Sequence, residues 1–470
     1  MSFISREFLI LFAIVLAIRI VVGRRTNSSA YVALLILSSL VFYAWHVPVY
    51  LVILLASTSV DYAAALALGR LPGPEHLRRR LVLAASLGTN LGLLGFFKYG
   101  RFFVRGVGHA VALAGFQPNL QIPDLVLPIG ISFYTFEAMS YTIDVYRGRM
   151  APIRSFPRFV LFISFFPHLV AGPIVRAWQF LPQLNRRRRM RLIVIYEALW
   201  LIITGYFLKT VVADNLAAYV NANWDQAYRP NAGALTCAGV ALMFSGQIFA
   251  DFAGYSNIAR GLAYLLGYRL PMNFNAPYLA GSFRNFWQRW HMTLSAWLRD
   301  YLYVSLGGNR LSAARTYLNL MIVMTLGGLW HGAALTFVAW GALHGLALAI
   351  ERAVGLHRGV APRLLRVVWF VVVQLIVVVA WVFFRSDTIA HALRFIGNVI
   401  ASPAGTRPEW TRAALVLLSP VAAWHAWTWL DERGLLARAM PVGRIVVATM
   451  MAWAIFAMRG QPSAFIYFQF

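Results

Sequence analysis

The sequence is poor in cysteine and in charged residues, above all in carboxylates and lysine. The cysteine count and the low share of charged residues each exclude classes of protein. Its 470 residues include one cysteine, Cys237, which excludes an intramolecular disulfide framework and thiolate metal cages. Charged residues make up 12% of the chain, whereas soluble domains carry about 25%. Because 60% of the residues are apolar and the mean hydropathy is +0.65, the chain is neither a soluble globular protein nor a disordered one.

Several catalytic motifs are absent as well. The sequence has no HExxH motif and no histidine or cysteine cluster with metal-ligand spacing, so we predict no metal site. It has no GxSxG motif, P-loop or GxGxxG motif, which argues against a serine hydrolase of the α/β type and against nucleotide hydrolysis. The His-x4-Asp box of glycerolipid acyltransferases is also missing.

Long apolar runs recur along the whole chain, as is typical of a helical membrane protein. At about 20 residues a span, the length allows about 10–12 transmembrane helices. The first run, 8–22, is followed by no small-residue cleavage site, so we predict an uncleaved first span. Runs 234–266 and 316–351 are long enough to bend or to hold two helices each. We therefore predict an all-α polytopic membrane protein with one domain over residues 1–470.

Arginine dominates the charge of the chain. There are 42 basic and 16 acidic residues, a net charge of +26, and only Lys98 and Lys209 are lysines. In this apolar chain the excess favours cytoplasmic loops on an anionic membrane face over a nucleic-acid partner. Arginine clusters lie at 24–25, 78–80 and 186–191, and two spans separate the first two. If their shared face is cytoplasmic, the N-terminus is extracytoplasmic.

The segment 249–310 is rich in Asn, Arg, aromatic residues and Gly between two apolar blocks. Polar groups at membrane depth must be satisfied or must line a cavity, so this segment predicts re-entrant or interfacial helices around a site. A helical wheel of 285–303 places the aromatic residues on one face and His291, Ser295 and Arg299 in a row at its edge. That row faces either a cavity or solvent at the membrane interface, and the wheel does not choose between them.

Other ionisable residues lie within or next to apolar runs. His331, between glycines in 327–332, is a functional candidate or a histidine hydrogen-bonded to a neighbouring helix. His168 and His344 are expected to be structural. Five carboxylates could relay protons, although pairing with arginine or capping of a helix is the favoured interpretation; they are Asp61, Glu137, Asp144, Asp214 and Asp251.

Three consecutive segments closely resemble the central motif of the membrane-bound O-acyltransferase (MBOAT) family. They are 286–291 (FWQRWH), 297–303 (WLRDYLY) and 306–310 (LGGNR). The run from Gly327 to Gly345, which contains WHG and WGALHG, resembles the second motif of the family. One departure is Ser305, where the family pattern leads us to expect proline.

Further segments indicate the alginate-acetylation branch of that family, and the resemblance covers nearly the whole chain. They are 127–136 (LPIGISFYTF), the FPH and GPI elements within 166–174, 381–385 (WVFFR) and the chain end, 465–470. The rival branch transfers D-alanine to teichoic acids from a carrier protein.

The resemblance implies a helical bundle with a central tunnel, a motif core at about 249–351 and a bacterial inner-membrane location. It implies His331 as the central catalytic histidine and His291 as the second important one. Arg289, Trp290, Ser295, Arg299 and Trp330 are predicted to contact substrate. The expected donor is acyl-CoA, in particular acetyl-CoA, with no bound cofactor. The expected acceptor is an exported polysaccharide such as alginate, reached directly or through an extracytoplasmic, esterase-like partner protein.

Two alternatives stay open from the sequence. One is D-alanyl or other acyl transfer to a cell-envelope polymer. The other is a transporter that moves an acyl group or a polymer without doing chemistry. Such a transporter would not need the two histidines, so their substitution would be nearly silent.

Overall fold

The computed structural model describes residues 1–23, 25–71, 73, 77–115, 127–230, 232–356, 362–403, 405, 408–435 and 440–466. Every regular element in these ranges is helical, which confirms the all-α prediction. The chain divides into two compact units, Met1–Leu199 with Ala259–Pro271 and Trp200–Ile258 with Met272–Phe470. Arg24 and residues 467–470, both used above, lie outside the described residues. A single membrane domain over 1–470 stays a prediction.

The first unit is built mainly from nine helices of the described ranges. They are α1 Arg6–Val22, α2 Ser29–Ala44, α3 Tyr50–Arg70, α4 Leu77–Leu94, α5 Gly100–Leu113, α6 Ile131–Tyr146, α7 Phe156–Ser164, α8 Phe166–Leu169 and α9 Ala177–Phe180. Helices α3, α4 and α6 pack together, and α2 packs against α7. Two further helices, α10 Leu192–Tyr206 and α12 Ala234–Leu265, contribute residues to both units.

The second unit contains the remaining described helices. They are α11 Asp214–Asn223, α13 Phe283–Arg289, α14 Met292–Trp297, α15 Ala313–His331, α16 Leu335–Ala353, α17 Arg363–Arg385, α18 Ile389–Ala401, α19 Pro408–Glu432 and α20 Met440–Ala457. Its most extensive helix pair is α15 with α16, and α16 also packs against α17. The run 316–351 therefore holds two helices, as allowed for, whereas 234–266 forms one.

Six described helical stretches are long and apolar enough to cross a membrane. They are Tyr50–Arg70, Leu77–Leu113, Leu192–Asn223, Ala234–Leu265, Arg363–Arg385 and Arg412–Glu432. Three shorter apolar helices are Ser29–Ala44, Ile389–Ala401 and Val442–Ala457. The polytopic character is thus confirmed, and the count of 10–12 spans and the central tunnel stay predictions.

The five buried carboxylates are held mostly by groups other than arginine, so that expectation was wrong for four of them. Asp144 pairs with Arg149 at 3.5 Å. Asp61 instead accepts hydrogen bonds from the Ser86 hydroxyl and the Asn90 amide, and Glu137 lies 3.1 Å from His168. Asp214 and Asp251 share Lys209, whose Nζ is 2.8 Å from a carboxylate oxygen of each. The reason is burial, because a nearby hydroxyl, amide, histidine or shared lysine satisfies a buried carboxylate without an arginine.

Candidate active site

His331 is the last residue of α15, and the close crossing of α15 with α16 places it. A methyl group on Gly328 would lie 2.2 Å from the carbonyl oxygen of Phe337, and one on Gly341 would lie 2.3 Å from that of Met324. Only glycine permits backbones to approach this closely. These two glycines let α15 and α16 pack closely, and the histidine side chain is 3% exposed.

The backbone breaks at Trp290 and His291, so the continuous helix predicted over 285–303 is wrong. Trp290 is extended, at φ −101° and ψ 128°. His291 is left-handed, at φ 40° and ψ 53°. The segment preceding α13 stabilises the break, because Asn275 N donates to the Arg289 carbonyl at 3.0 Å and Met292 N donates to the Asn273 carbonyl at 2.9 Å.

The left-handed backbone of His291 marks the residue as special. Among the described residues, only Ala276 and His291 have positive φ without being glycine. Such a conformation costs about 1–3 kcal/mol, and positions of this kind cluster at active sites. The break also turns His291 out of the predicted row with Ser295 and Arg299 and makes it the N-cap of α14.

Asn273 sets the tautomer of His291. Its Oδ1 accepts hydrogen bonds from Thr293 N at 3.3 Å and Thr293 Oγ1 at 2.9 Å, and its Nδ2 donates to Ser256 Oγ at 3.2 Å. His291 Nδ1 lies 3.1 Å from the same Oδ1 and must therefore donate a proton to it. Burial lowers the pKa of His291 to about 3. The ring is therefore neutral at physiological pH, with its lone pair on Nε2.

The two predicted catalytic histidines are neighbours. Their ring centroids are 6.3 Å apart, with the planes at 55°. Trp330 contacts both, with its ring centroid 6.0 Å from that of His291 and 5.0 Å from that of His331. The structure thus brings together His291, Trp330 and His331, which are 40 residues apart at most along the chain.

Aromatic rings enclose this pair. Phe252 stands edge-on to His291 at 4.7 Å, and Trp340 and Phe384 lie 5.1 and 5.4 Å from His331. Trp340 also contacts His344, at 4.9 Å. His344 is fully buried and lies parallel to the Phe286 ring at 5.9 Å, as expected of a structural histidine.

The other residues predicted to contact substrate interact with groups of the protein itself. The Trp290 ring is buried against Trp381 at 4.7 Å, and the Ser295 hydroxyl donates to the Trp290 carbonyl at 3.2 Å. Arg289 forms an ion pair with Glu432 at 3.0 Å. Arg299 pairs with the adjacent Asp300 at 2.7 Å, and its side chain is 65% exposed. Their contact with substrate stays a prediction.

Sequence reasoning missed Asn273 as the residue that orients His291. The only signal for it was its place in the polar segment 249–310. It also missed Phe252 and Trp340 as parts of the histidine surroundings, because aromatic residues in an apolar chain carry no distinctive pattern. Among the described residues, no group of three or more His, Cys, Asp or Glu side chains could hold a metal ion.

Comparisons with known proteins show which family the chain belongs to. The family model described as "MBOAT, membrane-bound O-acyltransferase family" matches residues 149–359, a range that includes both histidines. A protein of Pseudomonas aeruginosa, named Probable alginate O-acetylase AlgI, is 39% identical over 416 residues, which cover 88% of this chain and 78% of that protein. This chain belongs to the membrane-bound O-acyltransferase family.

Other relatives within the family carry different names. The Peptidoglycan O-acetyltransferase of Helicobacter pylori is 35% identical over 397 residues, or 78% of this chain and 73% of that protein. The Teichoic acid D-alanyltransferase of Streptococcus thermophilus is 29% identical over 240 residues, or 48% of this chain and 57% of that protein. The family resemblance derived from the motifs is confirmed, and the chain is a multi-pass membrane O-acyltransferase.

Proposed function

We propose that this protein transfers an acetyl group from acetyl-CoA to a hydroxyl group of an exported polysaccharide such as alginate. The observation that carries the proposal is the contact of two buried histidines, with ring centroids 6.3 Å apart, in motifs of an acyltransferase family. The names of the relatives that match most of this chain support an acetyl donor and a polymer acceptor.

In the proposed mechanism, His331 acts as general base. It takes the proton of the attacking hydroxyl, whose oxygen then forms a bond to the thioester carbonyl carbon. The tetrahedral intermediate expels the thiolate, which takes up the proton held by His331 as the free thiol. The rings of Trp330, Trp340 and Phe384 surround His331, which is 3% exposed.

We assign His291 a supporting part in the same step. Because its Nδ1 donates to Asn273, its Nε2 lone pair can accept a hydrogen bond from the acceptor hydroxyl or from protonated His331. Stabilisation of the developing oxyanion needs a donor, and a neutral Nε2 is not one. This favours orientation of the acceptor hydroxyl or of His331 over oxyanion stabilisation for His291.

The proposal includes a location and partners. The arginine-rich loops would face the cytoplasm, where acyl-CoA is available, with the N-terminus outside and the protein in the bacterial inner membrane. An extracytoplasmic, esterase-like partner protein would receive the acyl group or present the polysaccharide. A competing proposal, D-alanyl transfer from a carrier protein, draws support from the streptococcal relative.

Radiolabelled acetyl-CoA and purified protein in nanodiscs test the proposal. Thioester hydrolysis and transfer of label to polysaccharide would be followed for wild type, His331→Ala and His291→Ala. His46→Ala serves as the matched control, since His46 is exposed. Loss of turnover in His331→Ala alongside retained turnover in His46→Ala supports the mechanism.

Two other outcomes would overturn it. Full turnover in the His331→Ala protein would show that His331 is not the general base. A wild type that is inactive with acetyl-CoA, with polymer and extracytoplasmic partner present, but active with a D-alanyl carrier protein would establish the rival donor. No effect of either histidine on movement of an acyl group would favour a transporter.

A further inference from the structure

A cavity of about 580 Å³ in the first unit is lined largely by arginine. Tyr264 and Tyr268 also line it, and its one carboxylate among the described lining residues is Glu197. The arginines come from α1, from the loop that precedes α10 and from the loop that follows α12; they are Arg19, Arg187, Arg188, Arg189, Arg191 and Arg269. No step of acyl transfer proposed above uses any of them.

Hydrogen bonds from the α1–α2 region hold the loop before α10 in place. Thr26 Oγ1 donates to the Arg186 carbonyl at 3.1 Å and accepts from Arg188 N at 3.0 Å. The Arg19 side chain, 1% exposed, donates to the Arg188 carbonyl at 2.8 Å and to the Gly23 carbonyl. A buried guanidinium that anchors a loop backbone gives that loop a fixed conformation.

The second loop of the cavity is anchored in the same way. Gln183 Nε2 donates to the Arg269 carbonyl at 3.0 Å, and Arg269 N donates to Gln183 Oε1 at 2.9 Å. The Tyr31 hydroxyl donates to the Leu266 carbonyl at 2.9 Å. These bonds fix the backbone from which Arg269 extends, so the cavity wall is built before any ligand arrives.

The positive charge of this wall exceeds the charge of its one described carboxylate, Glu197. In the part of the chain that the structure describes, none of Arg187, Arg188, Arg189, Arg191 and Arg269 forms an ion pair with Asp or Glu. Burial, and then the charges of Arg186 and Arg269, lower the pKa of Arg188. Ile193 and Val194, in the first turn of α10, also line the cavity, and this turn is the positive end of the helix dipole.

We propose that this arginine cavity binds a phosphate-bearing ligand. Guanidinium groups match phosphate oxygens in bidentate geometry, and backbone N–H groups at a helix start are suited to the same anion. A volume of about 580 Å³ accommodates a diphosphate with a further group attached. The two sources of such a ligand are a soluble phosphorylated nucleotide, such as coenzyme A, and the headgroup of an anionic phospholipid.

Binding measurements on full-length protein test this proposal without reference to turnover. The protein would carry His331→Ala, so that no acyl transfer takes place, and would be held in phosphatidylcholine nanodiscs. The variant Arg187→Gln/Arg189→Gln/Arg191→Gln removes three charges from the cavity. The matched control, Arg315→Gln/Arg363→Gln/Arg366→Gln, removes three charges from exposed arginines elsewhere.

Coenzyme A and phosphatidylglycerol are the two probes. Coenzyme A binding would be measured by calorimetry, and retention of phosphatidylglycerol would be measured by native mass spectrometry after reconstitution with that lipid. We expect the cavity variant to lose about 10-fold or more in affinity for one probe, since charge-assisted bonds to phosphate are strong, and the control to keep it. The probe that responds identifies the source.

Two results would overturn the proposal. One is binding of neither probe by the protein with an intact cavity. The other is equal affinity in the intact, cavity and control proteins. If the glutamine variant is not monodisperse, Arg187→Lys/Arg189→Lys/Arg191→Lys keeps the charge and removes the bidentate geometry. Unchanged affinity in that folded protein, together with an unchanged salt dependence of binding, also contradicts a guanidinium site.

Discussion

His331 and His168 are both buried histidines next to glycine-containing motifs, yet their surroundings differ in kind. His168 Nδ1 lies 3.1 Å from Glu137 Oε1. The same oxygen also accepts a hydrogen bond from Val175 N at 2.7 Å. His331 lies among aromatic rings and beside a second histidine, His291. A carboxylate partner holds His168 in the fold, whereas aromatic rings enclose His331, the residue proposed as general base. Burial of a histidine therefore does not by itself mark a catalytic residue.

His331→Ala is expected to have the largest effect on turnover. Loss of a positioned general base should lower the rate by about 10²- to 10⁴-fold. His168→Ala should instead lower the amount of folded protein while the turnover per folded molecule stays within a few-fold of wild type. Acetyl-CoA turnover normalised to monodisperse protein from size-exclusion chromatography measures both. Equal losses of normalised turnover in the His331→Ala and His168→Ala proteins would show that the two histidines do not differ in their effect on turnover.

Glu137→Ala should chiefly reduce stability. It leaves both His168 and Val175 N without the carboxylate, and removal of one partner of a buried pair costs about 3–5 kcal/mol. Glu137→Gln, which keeps the shape and a hydrogen-bond acceptor, should cost less. Thermal unfolding in detergent compares the two variants. A Glu137→Ala protein as stable as wild type would show that the pair does not hold the fold.

Asn273 offers a way to convert one kind of histidine environment into the other. Asn273→Asp would place a carboxylate against His291 Nδ1 and stabilise the imidazolium, so the pKa of His291 should rise from its lowered value of about 3. Turnover that depends on neutral His291 would then fall at a higher pH as the medium is acidified.

Asn273→Ala serves as the comparison for that pH profile. It removes the hydrogen bond without adding charge, so turnover should fall about fivefold, equivalent to a bond worth ~1 kcal/mol. The acidic limb of the profile should then stay near its wild-type position. Identical pH profiles for wild type and Asn273→Asp would remove Asn273 as a positioning residue for His291.

Arg299→Gln is expected to have the smallest effect. Arg299 is 65% exposed and pairs with its neighbour Asp300, and exposed ion pairs contribute little. Turnover should stay within about twofold of wild type, as expected for an ion pair worth at most ~0.5 kcal/mol. A ten-fold rise in KM for acetyl-CoA would instead restore Arg299 to the donor site predicted from the motif.

The sequence predicted the helical membrane class and both motif histidines, since apolar runs and the spacing of the WHG and FWQRWH segments are local properties of the chain. The helix predicted from local periodicity is wrong at Trp290 and His291. There the hydrogen bond that the Asn273 carbonyl accepts and the one that Asn275 N donates outweigh the helical tendency.

The partners of the buried charged residues could not be predicted from local sequence patterns either. Glu137 meets His168 across 31 residues, and Lys209 meets Asp251 across 42. Nothing in the composition of either segment distinguishes these partners from the many arginines of the chain. The same holds for the arginine cavity, where the cluster 186–191 is visible in the sequence but Arg19 and Arg269 join it only through folding.

The sequence by itself determined what kind of molecule this is: a helical, arginine-rich membrane protein with two histidines in acyltransferase motifs. The tertiary structure decided how those histidines are arranged, by the left-handed backbone of His291, its bond to Asn273 and the 6.3 Å approach to His331. The physical reason is range. Hydropathy and motif spacing act along the chain, whereas burial, tautomer and ring contacts arise only when distant segments pack together.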